Sequence, residues 1–564
     1  MKVVIIGGVA GGASAAARLR RLDEHAEIVI LERSGYVSYA NCGLPYYVGG
    51  TIGSRDDLTL QSPESFRSRF NVDVRVLNEA VSVDTVSKTV RVRRLVDGTE
   101  YTEGYDKLLL SPGARALVPD IGGTDDPRVV TLRTVEDALS IREAIVAGGV
   151  REAVVAGAGY IGLEMAENLV DMGISVTLVQ RPRQVMPNLD PEMAAELQNH
   201  IRSKGVRLML GSELRDIVPG ERLEVVVGDG VRLRTDMVVL ALGVVPDTSL
   251  AEDAGLEMGV KGTIAVNDRM ETSAPDVFAV GDAVQVTNSV TGVPSHIALA
   301  GPANRQGRIA ADNICGGDSR YRGSQGSSVI KVFDMTVGIT GINQKVAQSA
   351  GIPHDCIHLY SASHATYYPG ARNMSIKVLF SPDDGRILGS QIVGFEGVDK
   401  RTDVLATAIA AGMTADDLED LDLSYAPPYS SAKDPVNMAG FVIGNLRAGL
   451  VRQFQWDELD SRVADPDVTV LDLRTDREYA TAHLDGVVHI PLDDLRDRMG
   501  ELDRSKPLYV MCHSGLRSYI GCRILRQNGF ECYNLSGGFR LYRSVMEDRR
   551  PDSPGDYPCG AGRC

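Results

Sequence analysis

Cysteine is scarce in this chain, long apolar runs are missing, and positive charge is outnumbered. Eight cysteines among 564 residues, unevenly placed, are too few for a disulfide scaffold. They point to individual thiol chemistry in a reducing compartment, and the expectation is a cytoplasmic protein. No stretch approaches the ~18 consecutive apolar residues of a membrane span, which excludes a transmembrane role. The 59 Lys and Arg against 75 Asp and Glu give a formal net charge of −16. That field repels phosphate backbones and anionic membrane surfaces, so nucleic acid is not an expected partner. An anionic ligand must be met by a local cluster of Arg, Lys and helix N-termini. What is present is an ordinary globular composition, 43% hydrophobic and 24% charged, long enough for roughly three to five domains.

The N-terminus, MKVVIIGGVAGGASAAARL, imitates a signal peptide, but Gly7, Gly8, Gly11 and Gly12 interrupt its apolar stretch. The first thirty residues read strand, glycine turn, helix, strand, which is a βαβ unit. In the dinucleotide pattern G-x-G-x-x-G the glycines make the turn tight and let the backbone approach a pyrophosphate. Here Gly7 and Gly12 hold the outer positions and Val9 the middle one, and Glu32 ends the second strand, where a carboxylate can accept both ribose hydroxyls. A second copy starts at Ala153, with Gly157, Gly159 and Gly162 filling every position. Two dinucleotides side by side imply FAD and a nicotinamide nucleotide, with electrons passing between them. The second copy closes on Gln180 and Arg181; the arginine favours the 2′-phosphate of NADPH, whereas Gly162 is usual for NADH, and the choice stays open. The segments LLLSPGA and VVLALGVVPD are apolar strands ending in glycine turns, expected as crossovers between two nucleotide domains. The pattern in TSAPDVFAVGDA resembles that of the two-dinucleotide flavoproteins, which implies that Asp282 meets the flavin ribityl chain.

After the first βαβ unit comes GYVSYANCGLPYYVGG, in which Cys42 has no second cysteine until Cys315. A single thiol cannot form an internal disulfide, but it can cycle through a mixed disulfide, a persulfide or a sulfenic acid. The stretch S-x-x-N-C-G-L-P-Y, together with GGVAGG, resembles the single-cysteine group of pyridine nucleotide-disulfide oxidoreductases that contains coenzyme A disulfide reductases and coenzyme A persulfide or polysulfide reductases. The likeness runs to about Leu446. NADH oxidases and peroxidases share this group; their sulfenic-acid chemistry uses a His in the first glycine loop, where this chain has Val9-Ala10. The resemblance implies that Ser14, Arg18, Arg21, Ser38 and Asn41 line a coenzyme A groove and that Cys42 exchanges with its sulfur. It also implies a dimerisation domain whose Tyr367 and Tyr425 reach the partner subunit's cysteine, with Lys433 near coenzyme A phosphates; Tyr368 and Tyr429 are close competitors. A homodimer is therefore expected.

From Gln455 onward the composition turns Asp- and Arg-rich. A strand is expected to end at Met511 and a helix to begin near Ser518, so that backbone N–H groups and the helix dipole favour a thiolate or persulfide at Cys512. The loop Cys512, His513, Ser514, Gly515, Leu516, Arg517, with Asp472-Leu473-Arg474 and His483, resembles a rhodanese domain of the short-loop, sulfur-transfer type. Cys522 and Cys532 read as core thiols. The tail carries Cys559 and Cys564, expected to be exposed and flexible; two ligands make no metal site, and no metal is expected.

The expected fold is α/β: two Rossmann-like FAD- and NAD(P)-binding domains, an α+β dimerisation domain and a C-terminal α/β rhodanese domain. The boundaries are 1–112 with 243–325 for FAD, 113–242 for NAD(P), 326–447 for dimerisation, 455–550 for rhodanese and 551–564 for the tail. The resemblance implies NAD(P)H-dependent reduction of coenzyme A persulfide, polysulfide or disulfide, coupled to sulfane-sulfur handling at Cys512. The alternatives are an NAD(P)H oxidase or peroxidase, and a sulfur-transfer module with a regulatory flavin part.

Overall fold

The computed structural model describes residues 1–550, so Cys559 and Cys564 lie outside the described residues. The described residues divide into two units, 1–183 with 206–326, and 184–205 with 327–550.

The first unit contains two five-stranded parallel sheets of the same plan. In one, Lys2–Ile6 lies between Glu27–Leu31 and Lys107–Leu110, with Asp73–Arg75 and Val277–Ala279 at the edges. In the other, Glu152–Ala156 lies between Ser175–Gln180 and Met237–Leu240, with Arg207–Leu210 and Val129–Val130 outside. The central strands KVVII and EAVVA are aliphatic almost throughout and buried after their first residue, as strands covered on both faces of a parallel sheet must be. Each sheet is accompanied by a three-stranded antiparallel one, Asn78–Asp84, Thr89–Arg94 and Glu100–Gly104 in the first case, Leu214–Val218, Leu223–Val227 and Val231–Thr235 in the second. Just beyond LLLSPG and VVLALG, the strands Ala114–Ala116 and Val244–Pro246 pair antiparallel. The chain thus leaves the first sheet and returns to it side by side, and Val277–Ala279 completes that sheet after the second is built.

In the second unit, five antiparallel strands run in the order Ser328–Val332, Met335–Gly341, Ile387–Gly394, Asn373–Phe380, Asp355–Ala362. Helix Val398–Ala411 packs on Met335–Gly341 and Ile387–Gly394. A parallel sheet follows, ordered Gln453–Phe454, Cys532–Leu535, Leu508–Met511, Thr469–Asp472, Val488–His489. Helix Pro191–Ser203, which the sequence reading kept within 113–242, packs in this unit against helix Gly538–Asp548.

One buried ion pair ties down the antiparallel half. Arg401 is 1% exposed; its guanidinium donates to Asp434 at 3.0 Å, to Ser430 Oγ at 3.0 Å and to the Gly397 carbonyl at 3.2 Å. Asp434 also caps helix Pro435–Arg447 by accepting the Val436 N–H at 3.0 Å. Removing the cation strands a buried carboxylate. Arg401→Met is expected to cost about 3–5 kcal/mol, read as a lowered midpoint in thermal and urea unfolding, and Arg401→Met with Asp434→Asn is expected to recover part of it.

Candidate active site

The outer glycines of each repeat are fixed by packing. A Cβ on Gly12 would lie 1.9 Å from the Gly7 carbonyl oxygen, and one on Gly162 at 1.9 Å from that of Gly157; Gly7 and Gly157 hold φ of +93° and +107°. The middle position differs. Nothing lies within 4 Å of a Cβ built on Gly159, and the first repeat carries Val9 there. This open side, facing the start of a helix, suits a ligand phosphate. The ends of the second strands match as well: Glu32 Oε2 accepts the Gly8 N–H at 2.8 Å, and Gln180 Oε1 accepts the Ala158 N–H at 3.1 Å. Burial pushes the Glu32 carboxyl up, against the two N–H groups of Gly8 and Ser34 that favour its charge. Arg181 is exposed, 3.8 Å from Glu213. Asp282 follows strand Val277–Ala279 and accepts from Arg133 Nη2 at 2.7 Å. The loops at Gly7 and Gly157, with Glu32, Gln180 and Asp282, form a donor set that fits FAD and a nicotinamide nucleotide.

Cys42 sits in the short turn Asn41–Gly43 that leads into helix Leu44–Val48, which packs against helices Tyr160–Asp171 and Val135–Val146. The thiol is exposed but walled by protein. Partial burial, then the charges of Glu164 and Asp282, push its pKa up, and Arg133 pulls it down. Arg133 is the organiser of this corner. Besides Asp282 it donates to the Ala114 carbonyl at 2.9 Å. In the amide orientation that satisfies both its ends, Asn41 donates to the Arg133 carbonyl at 3.2 Å and accepts from Nη1 at 3.1 Å. Glu164, two residues beyond Gly162, accepts from Tyr46 at 3.5 Å, and burial raises its carboxyl to about 7. Sequence reasoning missed Arg133, Glu164 and Tyr46; only the short step from Gly162 to Glu164 was a local signal.

The remaining residues assigned to a coenzyme A groove are spread along this unit. Ser14 donates to Asn304 at 2.7 Å and Arg18 to Asp312 at 2.7 Å, so Arg18 is already engaged, while Arg21 is exposed. Ser38 holds a left-handed φ of +49° beside the glycine loop, its N–H donating to the Gly8 carbonyl at 2.8 Å. In the second unit the Tyr367 and Tyr425 hydroxyls are 2.7 Å apart on exposed loops, Tyr429 and Lys433 are exposed, and Tyr368 packs edge-on to His364.

Cys512 is fully buried and follows strand Leu508–Met511 directly. Its sulfur accepts the Gly515 N–H at 3.1 Å and the Ser518 hydroxyl at 3.2 Å. The helix starts at Leu516, slightly earlier than Ser518, because Gly515 turns the chain with φ +97°. Arg517 grips Glu478 with two bonds of 2.7 Å, which hold that carboxyl down at about 2. Burial, then the Arg540 charge, lower His513 to about 4, so it is neutral at physiological pH. Ser514 sits within the loop and Leu516 is 58% exposed at its rim. Asp472 and Arg474 pair beneath, His483 stacks on Tyr479, and Cys522 and Cys532 are buried.

Two strand–turn–helix dinucleotide folds with one thiol beside the first define a two-dinucleotide redox protein. The comparisons specify it further: the chain belongs to the pyridine nucleotide-disulphide oxidoreductase family, whose model matches residues 1–307, followed by its dimerisation domain at 327–435 and a rhodanese-like domain at 455–544. Curated relatives include an NADH oxidase from Methanocaldococcus jannaschii, 36% identical over 78% of this chain and 98% of its own, and a coenzyme A disulfide reductase from Staphylococcus haemolyticus, 34% identical over 79% and 100%. Among solved structures, reduced Bacillus anthracis CoADR-RHD is 46% identical with a TM-score of 0.95, covering 97% of this chain and 98% of that one. An NAD-dependent persulfide reductase from A. fulgidus is 39% identical with a TM-score of 0.91, covering 96% and 100%.

The Glu164 charge gives Cys42 a defined pH response. Above about 7 the carboxyl ionises and disfavours the nearby thiolate. Glu164→Gln is therefore expected to speed alkylation of Cys42 by iodoacetamide roughly threefold above that midpoint, and to leave the rate unchanged below it.

Proposed function

We propose that the protein is a homodimeric, FAD-dependent NAD(P)H reductase of coenzyme A persulfide or polysulfide, and of coenzyme A disulfide, with a second cysteine centre that exchanges sulfane sulfur with the first. The carrying observation is that one chain holds two thiols in opposite settings: exposed Cys42 in the dinucleotide unit, and enclosed Cys512 with an N–H and a hydroxyl aimed at its sulfur. The enclosed site suits a persulfide anion. Disulfide reduction gives it no task, whereas persulfide chemistry does.

Cys42 thiolate attacks the outer sulfur of coenzyme A persulfide, forming Cys42–S–SH and releasing coenzyme A thiolate. Bound FAD supplies the two-electron relay between nicotinamide and sulfur. Two electrons then split Cys42–S–SH into Cys42 thiolate and hydrosulfide, so each NADH consumed yields one coenzyme A thiol and one hydrosulfide. With the disulfide, the same attack forms a Cys42–coenzyme A mixed disulfide and releases one coenzyme A thiolate; two electrons then split the mixed disulfide, so one NADH and one proton yield two coenzyme A thiols. Ser14, Arg18, Arg21, Ser38, Asn41 and Lys433 are assigned to coenzyme A, and the Tyr367 and Tyr425 phenols to hydrogen bonding at the leaving sulfur. At Cys512, thiolate takes a sulfane sulfur from a donor as Cys512–S–S⁻ and passes it to coenzyme A thiol, regenerating the substrate of Cys42.

The oxidase reading draws on the name of the archaeal relative. Anaerobic NADH and NADPH oxidation, measured with coenzyme A persulfide, polysulfide and disulfide in turn and with sulfide quantified, separates the two. Turnover on persulfide with one sulfide per nicotinamide is expected, and Cys42→Ser is expected to lose at least about a hundredfold, as removal of a nucleophile does. Full persulfide turnover by Cys42→Ser, or oxygen uptake matching NADH with every sulfur substrate ignored, would overturn the proposal.

A further inference from the structure

The loop that carries Cys512 rests on a turn whose own support comes from outside the rhodanese-like domain. Ser536, Gly537 and Gly538 form that turn after strand Cys532–Leu535. Gly538, at φ +64°, presses on the loop so closely that a Cβ would stand 2.7 Å from the Cys512 carbonyl oxygen and 2.8 Å from Gly515 N, the nitrogen that donates to the Cys512 sulfur. The next two N–H groups, of Phe539 and Arg540, donate to the Cys512 and His513 carbonyls at 2.8 and 2.9 Å. On its other side the turn meets the antiparallel sheet, where a Cβ on Gly537 would lie 3.2 Å from His358 Cβ.

His358, in strand Asp355–Ala362, fastens the turn. Its backbone N–H donates to Ser536 Oγ at 3.0 Å, its Nδ1 lies 3.2 Å from the same oxygen, and its Nε2 lies 2.9 Å from Glu192 Oε1. One assignment uses every donor once: Nε2–H donates to the carboxylate, and the Ser536 hydroxyl donates to Nδ1. Glu192, on helix Pro191–Ser203, is held ionised despite its burial by Lys377 and His358, and Lys377 also pairs with Asp190 at 2.8 Å. Alongside, Arg540 stacks on the Tyr360 ring at 4.1 Å, and the Tyr360 hydroxyl donates to Glu196 at 2.8 Å. His358, Ser536, Glu192 and Lys377 are all buried, so these contacts are made once and kept.

We infer that His358 and Ser536 are positioning residues for Cys512: the dimerisation sheet, through the His358–Ser536 bond, sets the turn that aims the Gly515 N–H at the reacting sulfur. This rests on the reading of Cys512 as a sulfur-transfer cysteine.

The test uses the full-length holoenzyme and three variants. Ser536→Ala removes the hydroxyl. His358→Gln keeps the backbone N–H bond to Ser536 and can still reach Glu192, but it loses the side-chain acceptor of the Ser536 hydroxyl; His358→Asn keeps a polar atom where Nδ1 stood. Sulfur transfer from thiosulfate to cyanide, with kcat and KM separated, is measured beside iodoacetamide alkylation of Cys512 and NADH-dependent coenzyme A disulfide reduction. Ser536→Ala and His358→Gln are expected to lower the transfer kcat and the alkylation rate about tenfold, the factor attached to one buried hydrogen bond, with KM for thiosulfate and the disulfide reaction within about twofold. His358→Asn is expected to recover most of the loss. Wild-type values in Ser536→Ala and His358→Gln, or an equal fall in disulfide reduction, would overturn the inference. A wild-type enzyme that transfers no sulfur, while Cys512 alkylation still falls in the two variants, would instead count against the sulfur-transfer reading and leave the positioning intact.

Discussion

The first peptide N–H groups of a helix have no partner inside it, and at both dinucleotide repeats and at Cys512 a buried parallel strand ends directly before such a start. Lys2–Ile6 runs into Ala10–Leu22, Glu152–Ala156 into Tyr160–Asp171, and Leu508–Met511 into Leu516–Gln527. Each junction turns through a glycine with positive φ, at Gly7, Gly157 and Gly515, because only there does the backbone fold sharply enough to bring the N–H groups to the strand end. At the second, the space beside Gly159 is open on the side that a ligand phosphate would take. At the third, the space before the helix is filled by the protein's own sulfur. The same local physics thus suits a ligand phosphate and a thiolate alike, in a chain whose net charge of −16 otherwise disfavours anions.

The two cysteines stand in different surroundings. Cys42 stands exposed among mixed charges, with Arg133 favouring the thiolate and Glu164 and Asp282 opposing it. Its balance is set first by partial burial and then by side chains from separate elements, and it moves with the ionisation of Glu164. Cys512 is enclosed, and its donors are a backbone N–H and a hydroxyl one turn into the helix. These donors are placed by the backbone, so whatever fixes the loop fixes their aim at the sulfur. An exposed thiol suits exchange with a bulky carrier, and an enclosed one suits the keeping of a small sulfur atom.

Much of this was legible in the sequence because the signals are local. Glycine spacing, the aliphatic strands and the isolated Cys42 and Cys512 each sit within a few residues of the geometry they create, and the match of Gln180 to Glu32 follows from one repeated unit. Arg133 was not legible: it joins Asn41, Ala114 and Asp282, which come together only when both chain crossings have formed. Helix Pro191–Ser203 was not legible for the same reason. PEMAAELQNHIRS is rich in polar residues, yet every residue from Glu192 to Ile201 is buried, and the partners of its charges, Lys377, His358 and Tyr360, lie far along the chain. Polar residues buried against distant partners carry no periodic signature, and there sequence pattern and tertiary environment part.

The central claim is that sulfur passes from Cys512 to coenzyme A and is released as sulfide at Cys42. Isotopically labelled sulfane sulfur loaded on Cys512, followed anaerobically by mass spectrometry after addition of coenzyme A and NADH, tests it most directly. The account predicts that the label leaves Cys512 only when coenzyme A is present, and appears as sulfide only when NADH and an intact Cys42 are present too. Labelled sulfide formed without coenzyme A, or label retained on Cys512 with coenzyme A and NADH both supplied, would contradict it.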